Sequence, residues 1–483
     1  MSADATAAKA AWDLDDVFHP SSVAIVGASA NEHSQGYEFV QAFLRFGFPG
    51  PVYPVNPRLE AVMGLKSYPR LDDIPGNVDL VISVVPARAT VDLVRSAAAK
   101  RVKLIHFYTG RFSETGREDG AAIEEELRRL TRAAGIRVLG PNCMGLYFPG
   151  EKITFSSGFP REPGNVAFLS QSGSHAWELI ERGSQRGLRF SKVVSYGNAL
   201  DVNESDLLEY CAHDPETEII AAYIEGVRDG RRFFNALRTA AERKPVVVFK
   251  GGRTSAGEAA ARSHTASLAS SQTVWRVAAE QAGALEVRSL NELTDMLVAL
   301  RAAGPARGMR TAVLGGAGGG TVEAADLCYE AGLELPPVPA EVREQLREKL
   351  PHAWDWFGNP LDDSILDWGA SFDGSDIIGI LAAHPAYDAV IAGANFTFLL
   401  SPEDDSVYRR SMEQIKSVAT TSGKATMVVL DPEWSREEWS RKAVTRVYED
   451  MVAAGVALFP NMERAAHTMA RYLRYMLQRQ RRD

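Results

Sequence analysis

Val23-Ala24-Ile25-Val26-Gly27-Ala28-Ser29 is the stretch that decides the fold: four apolar residues without polar alternation, then a turn of small residues leading to an amphipathic segment, Tyr37 to Phe46. An unbroken apolar run followed by a helix predicts a strand buried on both faces, as in a parallel sheet. The pairing repeats outward from there. Runs at Val52 to Val55, Leu80 to Val85, Leu104 to Phe107 and Val138 to Leu139 alternate with helical segments Thr90 to Ala99 and Ala121 to Ala134. A second series holds Val166 to Leu169, Val193 to Val194, Ile219 to Ile224 and Val246 to Phe249. The third holds Thr311 to Leu314, Ala389 to Ile391, Met427 to Leu430 and Val456 to Phe459, closed by a helix from Arg464 to about Arg479. The expectation is an α/β chain of three successive doubly wound parallel-sheet units, spanning 1–150, 151–305 and 306–483. Pro160 to Gly164 and Ala303 to Gly308 read as their connections.

Size and composition agree with that division. A length of 483 residues exceeds one core, and 45% apolar with 24% charged residues is globular rather than disordered. Lys plus Arg at 53 against Asp plus Glu at 62 gives a net charge of −9, so nucleic acid and anionic membranes are not expected partners. Cys143, Cys211 and Cys328 are too few for a disulfide framework and too far apart for a zinc site. No metal site is expected. The start, Met1 to Asp16, lacks a signal-peptide apolar core, and no later run reaches the roughly 18 residues of a membrane span. A soluble, cytoplasmic protein is the expectation.

Ligands of open parallel sheets bind beyond the carboxyl ends of the strands, where helix N-termini expose unpaired N–H groups. In the first unit, Gly27-Ala28-Ser29, Asn56-Pro57-Arg58, Val85-Pro86-Ala87 and Gly140-Pro141-Asn142 all fall at such ends. The second unit places Ser170-Gln171-Ser172-Gly173, Gly197-Asn198, Glu225-Gly226 and Gly251-Gly252 there. Tight βα turns explain any one cluster, but eight on one edge point to a ligand site. The first loop lacks G-x-G-x-x-G, and its next strand ends in Arg58 rather than the acidic residue an NAD ribose needs. Arg58 suits an added ribose phosphate, as in NADP or coenzyme A; a solvated surface cation is the other reading.

Ser172-Gly173 opens a helix, and Gly315-Gly316-Ala317-Gly318-Gly319-Gly320 opens another at Thr321. Both are candidate phosphate cradles, with Gly315, Gly316, Gly318 and Gly319 allowing close approach; a flexible turn is the alternative for the second. His264 lies in a run of small residues, Ala261 to Leu268, and Glu225 ends a strand at the same edge. An imidazole held by a carboxylate presents its other nitrogen as a nucleophile, as a phosphoryl-accepting histidine requires. A structural histidine and a surface or capping carboxylate are the competing readings.

These markers, with Tyr53-Pro54-Val55-Asn56-Pro57, Tyr196-Gly197-Asn198, Tyr223-Ile224-Glu225-Gly226 and Ser263-His264-Thr265, occur in an order and spacing that resembles the α subunit of the NDP-forming acyl-CoA synthetases, the succinyl-CoA synthetase superfamily. The resemblance runs from about Ser21 to Leu473 and includes Asn359-Pro360-Leu361-Asp362. It implies a Rossmann-like CoA-binding domain followed by two flavodoxin-like CoA-ligase domains. It also implies that Gly27, Ala28, Ser29, Asn56, Arg58, Val85, Pro86 and Asn142 bind coenzyme A, that His264 is a transient phosphohistidine steadied by Glu225, and that Ser172, Gly173 and the Gly315 to Gly320 loop cradle the phosphate.

The length leaves no room for an ATP-grasp module beside three α/β units. The resemblance therefore implies a separate ATP-grasp β subunit carrying ATP or ADP with Mg, a hetero-oligomer, and a small carboxylic acid as substrate. Ala266 and Ser270 stand where the family carries glycine, which restricts positive φ in the histidine loop. Phe107-Tyr108 and Trp354, Trp356 and Phe357 are bulkier than expected and read either as an acyl pocket or as core. Two other functions are open on these residues: a CoA-binding regulatory subunit without turnover, and an NADP-dependent oxidoreductase.

Overall fold

A computed structural model of the chain describes residues 13–259, 272–362, 372–394, 403–434 and 437–482. Contacts group the chain into two compact units, 1–184 with 189–293 and 185–188 with 294–483. The first unit contains two sheets. In one, β1 (Val23–Val26) and β2 (Val52–Val55) are followed by a small antiparallel ribbon, β3 (Ala61–Val62) and β4 (Leu65–Lys66), then β5 (Leu80–Ser83), β6 (Leu104–Phe107) and β7 (Arg137–Leu139). The sheet order is β2-β1-β5-β6-β7, parallel throughout.

The other sheet takes β8 (Gly145–Tyr147), β9 (Val166–Ser170), β10 (Phe190–Ser195), β11 (Ile219–Ile224), β12 (Val246–Lys250) and β13 (Leu285–Val287) in the order β13-β12-β11-β9-β10-β8. Only β8 runs antiparallel, on the edge beside β10. The second unit holds β14 (Thr311–Gly316), β15 (Leu361–Asp362), β16 (Ala389–Gly393), β17 (Ala425–Val429) and β18 (Leu458–Phe459), ordered β15-β14-β16-β17-β18 and parallel. Setting β8 aside, all three sheets share one winding: the first strand is central, the second lies to one side, and the rest build to the other. Each therefore has one switch point, between β1 and β5, β9 and β11, and β14 and β16, where a crevice opens beyond the strand ends.

Local sequence explains the elements that shape these crevices. The helix Gln35–Phe46 starts where the Ser34 hydroxyl accepts the Tyr37 N–H, buries Phe39, Val40, Phe43 and Phe46 along one stripe, and stops at Gly47 in the left-handed region. Every residue of β11 is buried, as its unbroken Ile-Ile-Ala-Ala-Tyr-Ile run requires of a central parallel strand. Phe107 and Phe357 are core residues. Trp354 packs against the core of the third sheet, whereas Trp356 is 58% exposed. Tyr108 meets Phe39 edge-on at 5.5 Å. Among the described residues no helix is long and apolar enough to cross a membrane.

His106 on β6 gives the first unit a pH signature. Its ring is buried, its Nε2 lies 3.1 Å from the Cys143 carbonyl, and it occupies the space that a Cβ on Gly145 would take, 2.3 Å from its Cε1. Desolvation drives its pKa from 6.5 down to about 4. Between those values the unfolded chain binds a proton that the folded one refuses, so His106 makes stability fall with falling pH, by about 3 kcal/mol in all. Glu204, pushed up to about 7 mainly by burial, acts with the opposite sign: its carboxyl is protonated in the fold, and stability falls as pH rises from the ordinary 4.5 toward 7. Denaturant unfolding of the parent and His106→Gln at pH 7 and pH 4.5 isolates the first effect. The variant is expected to lose less stability than the parent on acidification.

Candidate functional site

At the first switch point, Gly27 adopts φ +97° and donates its N–H to the Val55 carbonyl at 3.0 Å. A Cβ there would lie 2.9 Å from Val84 Cγ2. The helix Gln35–Phe46 comes closer still, since a Cβ on Gly36 would sit 2.1 Å from the Gly27 carbonyl oxygen. Asn56 spends its side chain on this loop: Nδ2 donates to the Ala28 carbonyl at 2.7 Å and Oδ1 accepts the Arg58 N–H at 2.9 Å. Arg58 is exposed. The Thr109 hydroxyl donates to the Val85 carbonyl at 2.6 Å, and the Thr109 carbonyl accepts the Asn142 N–H at 3.1 Å. The loops after β1 and β2 are thus tied together through Ala28 and Asn56, and those after β5, β6 and β7 through Val85, Thr109 and Asn142. Glycine at 36 lets the start of the helix pack against the backbone of the loop after β1, which brings that helix end to the strand-end crevice where parallel sheets bind ligands.

The second crevice, between β9 and β11, is built around Gln171. Its buried side-chain carbonyl accepts both the Glu225 N–H at 2.5 Å and the Gly226 N–H at 3.0 Å. This ties the turn after β9 to the end of β11 and places Glu225, 6% exposed, beside the start of the helix Gly173–Gln185. Glu225 Oε1 accepts the Tyr223 hydroxyl at 3.1 Å. Lys250, also buried, donates to the Glu225 carbonyl at 2.6 Å and to the Gly251 carbonyl, joining the ends of β11 and β12. Burial lowers the pKa of that ammonium, opposed by Glu225 and more distant carboxylates. Ser172 is held from below, its N–H donating to Ser170 Oγ at 3.2 Å and its carbonyl accepting that hydroxyl at 2.7 Å.

The two sheets of this unit meet through their loops. A Cβ on Gly197 would lie 2.3 Å from the Pro141 carbonyl oxygen, and Asn198 Nδ2 donates to Glu114 Oε2 at 2.8 Å. Glu114 also accepts the Arg111 and Phe112 N–H groups. The loop after β10 therefore rests directly on the loops after β6 and β7.

In the second unit, the glycine loop turns through positive φ at Gly316 and Gly318 and enters the helix Gly319–Ala331. Asp362 Oδ1 accepts the Gly318 N–H at 3.3 Å, and the Thr321 hydroxyl returns to the Gly316 carbonyl at 2.6 Å. Asn359 works as a latch, with Oδ1 accepting the Val313 N–H and Nδ2 donating to the carbonyls of Thr311 and Pro336.

His264, Ala266 and Ser270 lie outside the described residues. Sequence reasoning passed over Gln171, Tyr223, Lys250 and His175 as working side chains. Tyr223 was open to discovery, because residues two apart on a strand share a face and Glu225 is two residues on.

The family described as CoA binding domain matches residues 21–149, and that described as succinyl-CoA ligase like flavodoxin domain matches residues 163–300. The chain is 37% identical over 338 residues to the α subunit of ADP-forming acetate–CoA ligase II of Pyrococcus furiosus, covering 70% of this chain and 73% of that one. It is 40% identical over 355 residues to ADP-forming acetate–CoA ligase I of Archaeoglobus fulgidus, covering 72% of this chain, and it spans about half, 50%, of that relative's length. Among solved structures, the dinucleotide forming acetyl-coenzyme A synthetase 1 of Ca. Korarchaeum cryptofilum, in complex with phosphate and ADP, superposes with a TM-score of 0.80 at 31% identity, covering 97% of this chain and 98% of that chain.

Proposed function

This chain belongs to the ADP-forming acyl-CoA synthetase family as an α subunit, within the succinyl-CoA synthetase superfamily, and from that premise we propose that it joins a small carboxylic acid to coenzyme A through phosphohistidine and acyl-phosphate intermediates. A separate ATP-grasp β subunit supplies ATP with Mg in this reading. His264 takes the γ-phosphoryl group, forming an N–P bond as ADP leaves. The acid's carboxylate oxygen then displaces the imidazole at phosphorus, and the CoA thiolate attacks the acyl carbon and expels phosphate. Splitting the reaction turns a carboxylate, a poor acyl donor, into one with a good leaving group.

The observation that carries the proposal is the Gln171 clasp. It sets a buried carboxylate, Glu225, next to a helix N-terminus, in the same unit as the strand-end crevice after β1. Gly173 would offer its backbone N–H and Ser172 its hydroxyl to phosphoryl oxygens, and Gly315, Gly316, Gly318 and Gly319 would form the second cradle. The CoA crevice would use Gly27, Ala28, Ser29, Asn56, Arg58, Val85, Pro86 and Asn142. The same proposal places domain boundaries after residues 150 and 305, and the working protein in the cytoplasm as a hetero-oligomer.

Co-expression with an ATP-grasp partner, followed by an assay of acyl-CoA formation over a panel of short, branched and aromatic acids, tests it. ATP- and acid-dependent loss of the free CoA thiol is expected for at least one acid. Tight CoA binding with no turnover of any acid in either direction would replace the ligase reading with that of a CoA-responsive regulator.

A further inference from the structure

The first turn of the helix Gly173–Gln185 carries a histidine among small neighbours. The His175 N–H donates to Ser172 Oγ at 3.3 Å, and its Nδ1 lies 3.2 Å from the same oxygen. That hydroxyl also stands 3.0 Å from Ser174 Oγ. The imidazole lies flat on the Tyr223 ring, with centroids 4.3 Å apart and planes 14° from parallel, while Phe249 closes the side at 5.8 Å. Tyr223 reaches Glu225 Oε1 with its hydroxyl at 3.1 Å. Gly251 keeps that reach open, because a Cβ there would lie 2.6 Å from the Tyr223 oxygen.

A serine hydroxyl rotates freely unless something fixes it, and a carboxylate on a strand end swings about three torsions. Here one planar ring touches the first group by hydrogen bonding and the support of the second by stacking. A branched aliphatic side chain at position 175 could fill the volume but would offer neither the nitrogen nor the flat face.

We propose that His175 is a positioning residue that locks the Ser172 hydroxyl and, through Tyr223, the Glu225 carboxylate into one arrangement for a phosphoryl group. The inference rests on the reading that this edge handles phosphate. Its cost, if lost, is a misplaced cradle rather than a missing reactant, and misplacement of about 1 Å lowers rates by up to roughly a hundredfold.

The test follows labelling of the full chain by inorganic [32P]phosphate with acetyl-CoA, in single turnover, for the parent, His264→Asn, His175→Leu, His175→Asn, His175→Gln and Tyr223→Phe. His175→Leu is expected to slow labelling about tenfold or more. His175→Asn, whose amide stands where Nδ1 stands, keeps it within about threefold, and His175→Gln does not. Tyr223→Phe in the His175→Leu background is expected to add little, since both act on one network. Leu and Asn variants labelling at equal rates would overturn the inference; should the Leu variant fail to fold, equal rates for the Asn and Gln variants would do so. A parent left unlabelled with the acyl-CoA of every acid in the panel, or label retained in His264→Asn, would instead sink the functional reading on which the inference stands.

Discussion

Glu225→Gln is expected to slow phosphoenzyme formation by roughly two orders of magnitude while leaving CoA affinity unchanged. Glutamine keeps the volume and can still accept the Tyr223 hydroxyl, and the clasp from Gln171 holds backbone N–H groups that the substitution does not touch. What disappears is the negative charge that would hold one imidazole N–H and stabilise the ring as it takes on a phosphoryl group. The crevice proposed for CoA stands on the other sheet of the unit, so binding serves as the internal control. Rapid-quench labelling and calorimetric CoA titration on the same sample measure both. Parent-like labelling would remove Glu225 from the phosphoryl step.

Gly36→Ala is expected to abolish measurable CoA binding and to destabilise the first unit by about 1–3 kcal/mol. Its Cβ would fall 2.1 Å from the Gly27 carbonyl oxygen and 3.1 Å from the Ala28 Cα, so it meets backbone that has nowhere to yield. Either the helix Gln35–Phe46 withdraws or the loop after β1 is pushed into the crevice. The second outcome fills the space proposed for the ligand; the first removes the helix end that faces it. Titration with CoA, alongside thermal unfolding, separates lost binding from lost folding. Unchanged affinity would show that the nucleotide seat lies elsewhere.

Much of this was legible because apolar runs and small-residue turns are local. Val23 to Ser29 marked a central strand and the turn after it, and Ile219 to Glu225 did so again in the second sheet. Short strands escaped: Leu361–Asp362 has two residues, Leu285–Val287 is interrupted by Glu286, and Gly145–Tyr147 pairs antiparallel on an edge. None is long enough to show a period. Side-chain partnerships escaped for another reason. That Gln171 clasps Glu225 follows from the register that sets Tyr223 opposite Ser170, and no property of either segment alone encodes it. His175 lay hidden likewise, because its partner Tyr223 is 48 residues away in sequence. Asn56 combines the two cases. Its position at a strand end was legible, whereas the hold of its side chain on the Ala28 carbonyl and the Arg58 N–H was not.

The account stands or falls on where the phosphoryl group rests. Incubation of the chain and its ATP-grasp partner with [γ-32P]ATP, followed by peptide mapping under alkaline conditions, reads this directly. An acid-labile, base-stable label on the peptide containing His264, discharged by adding acid substrate and CoA, is the predicted result. Label on any other residue, or none while acyl-CoA is still formed, would contradict it.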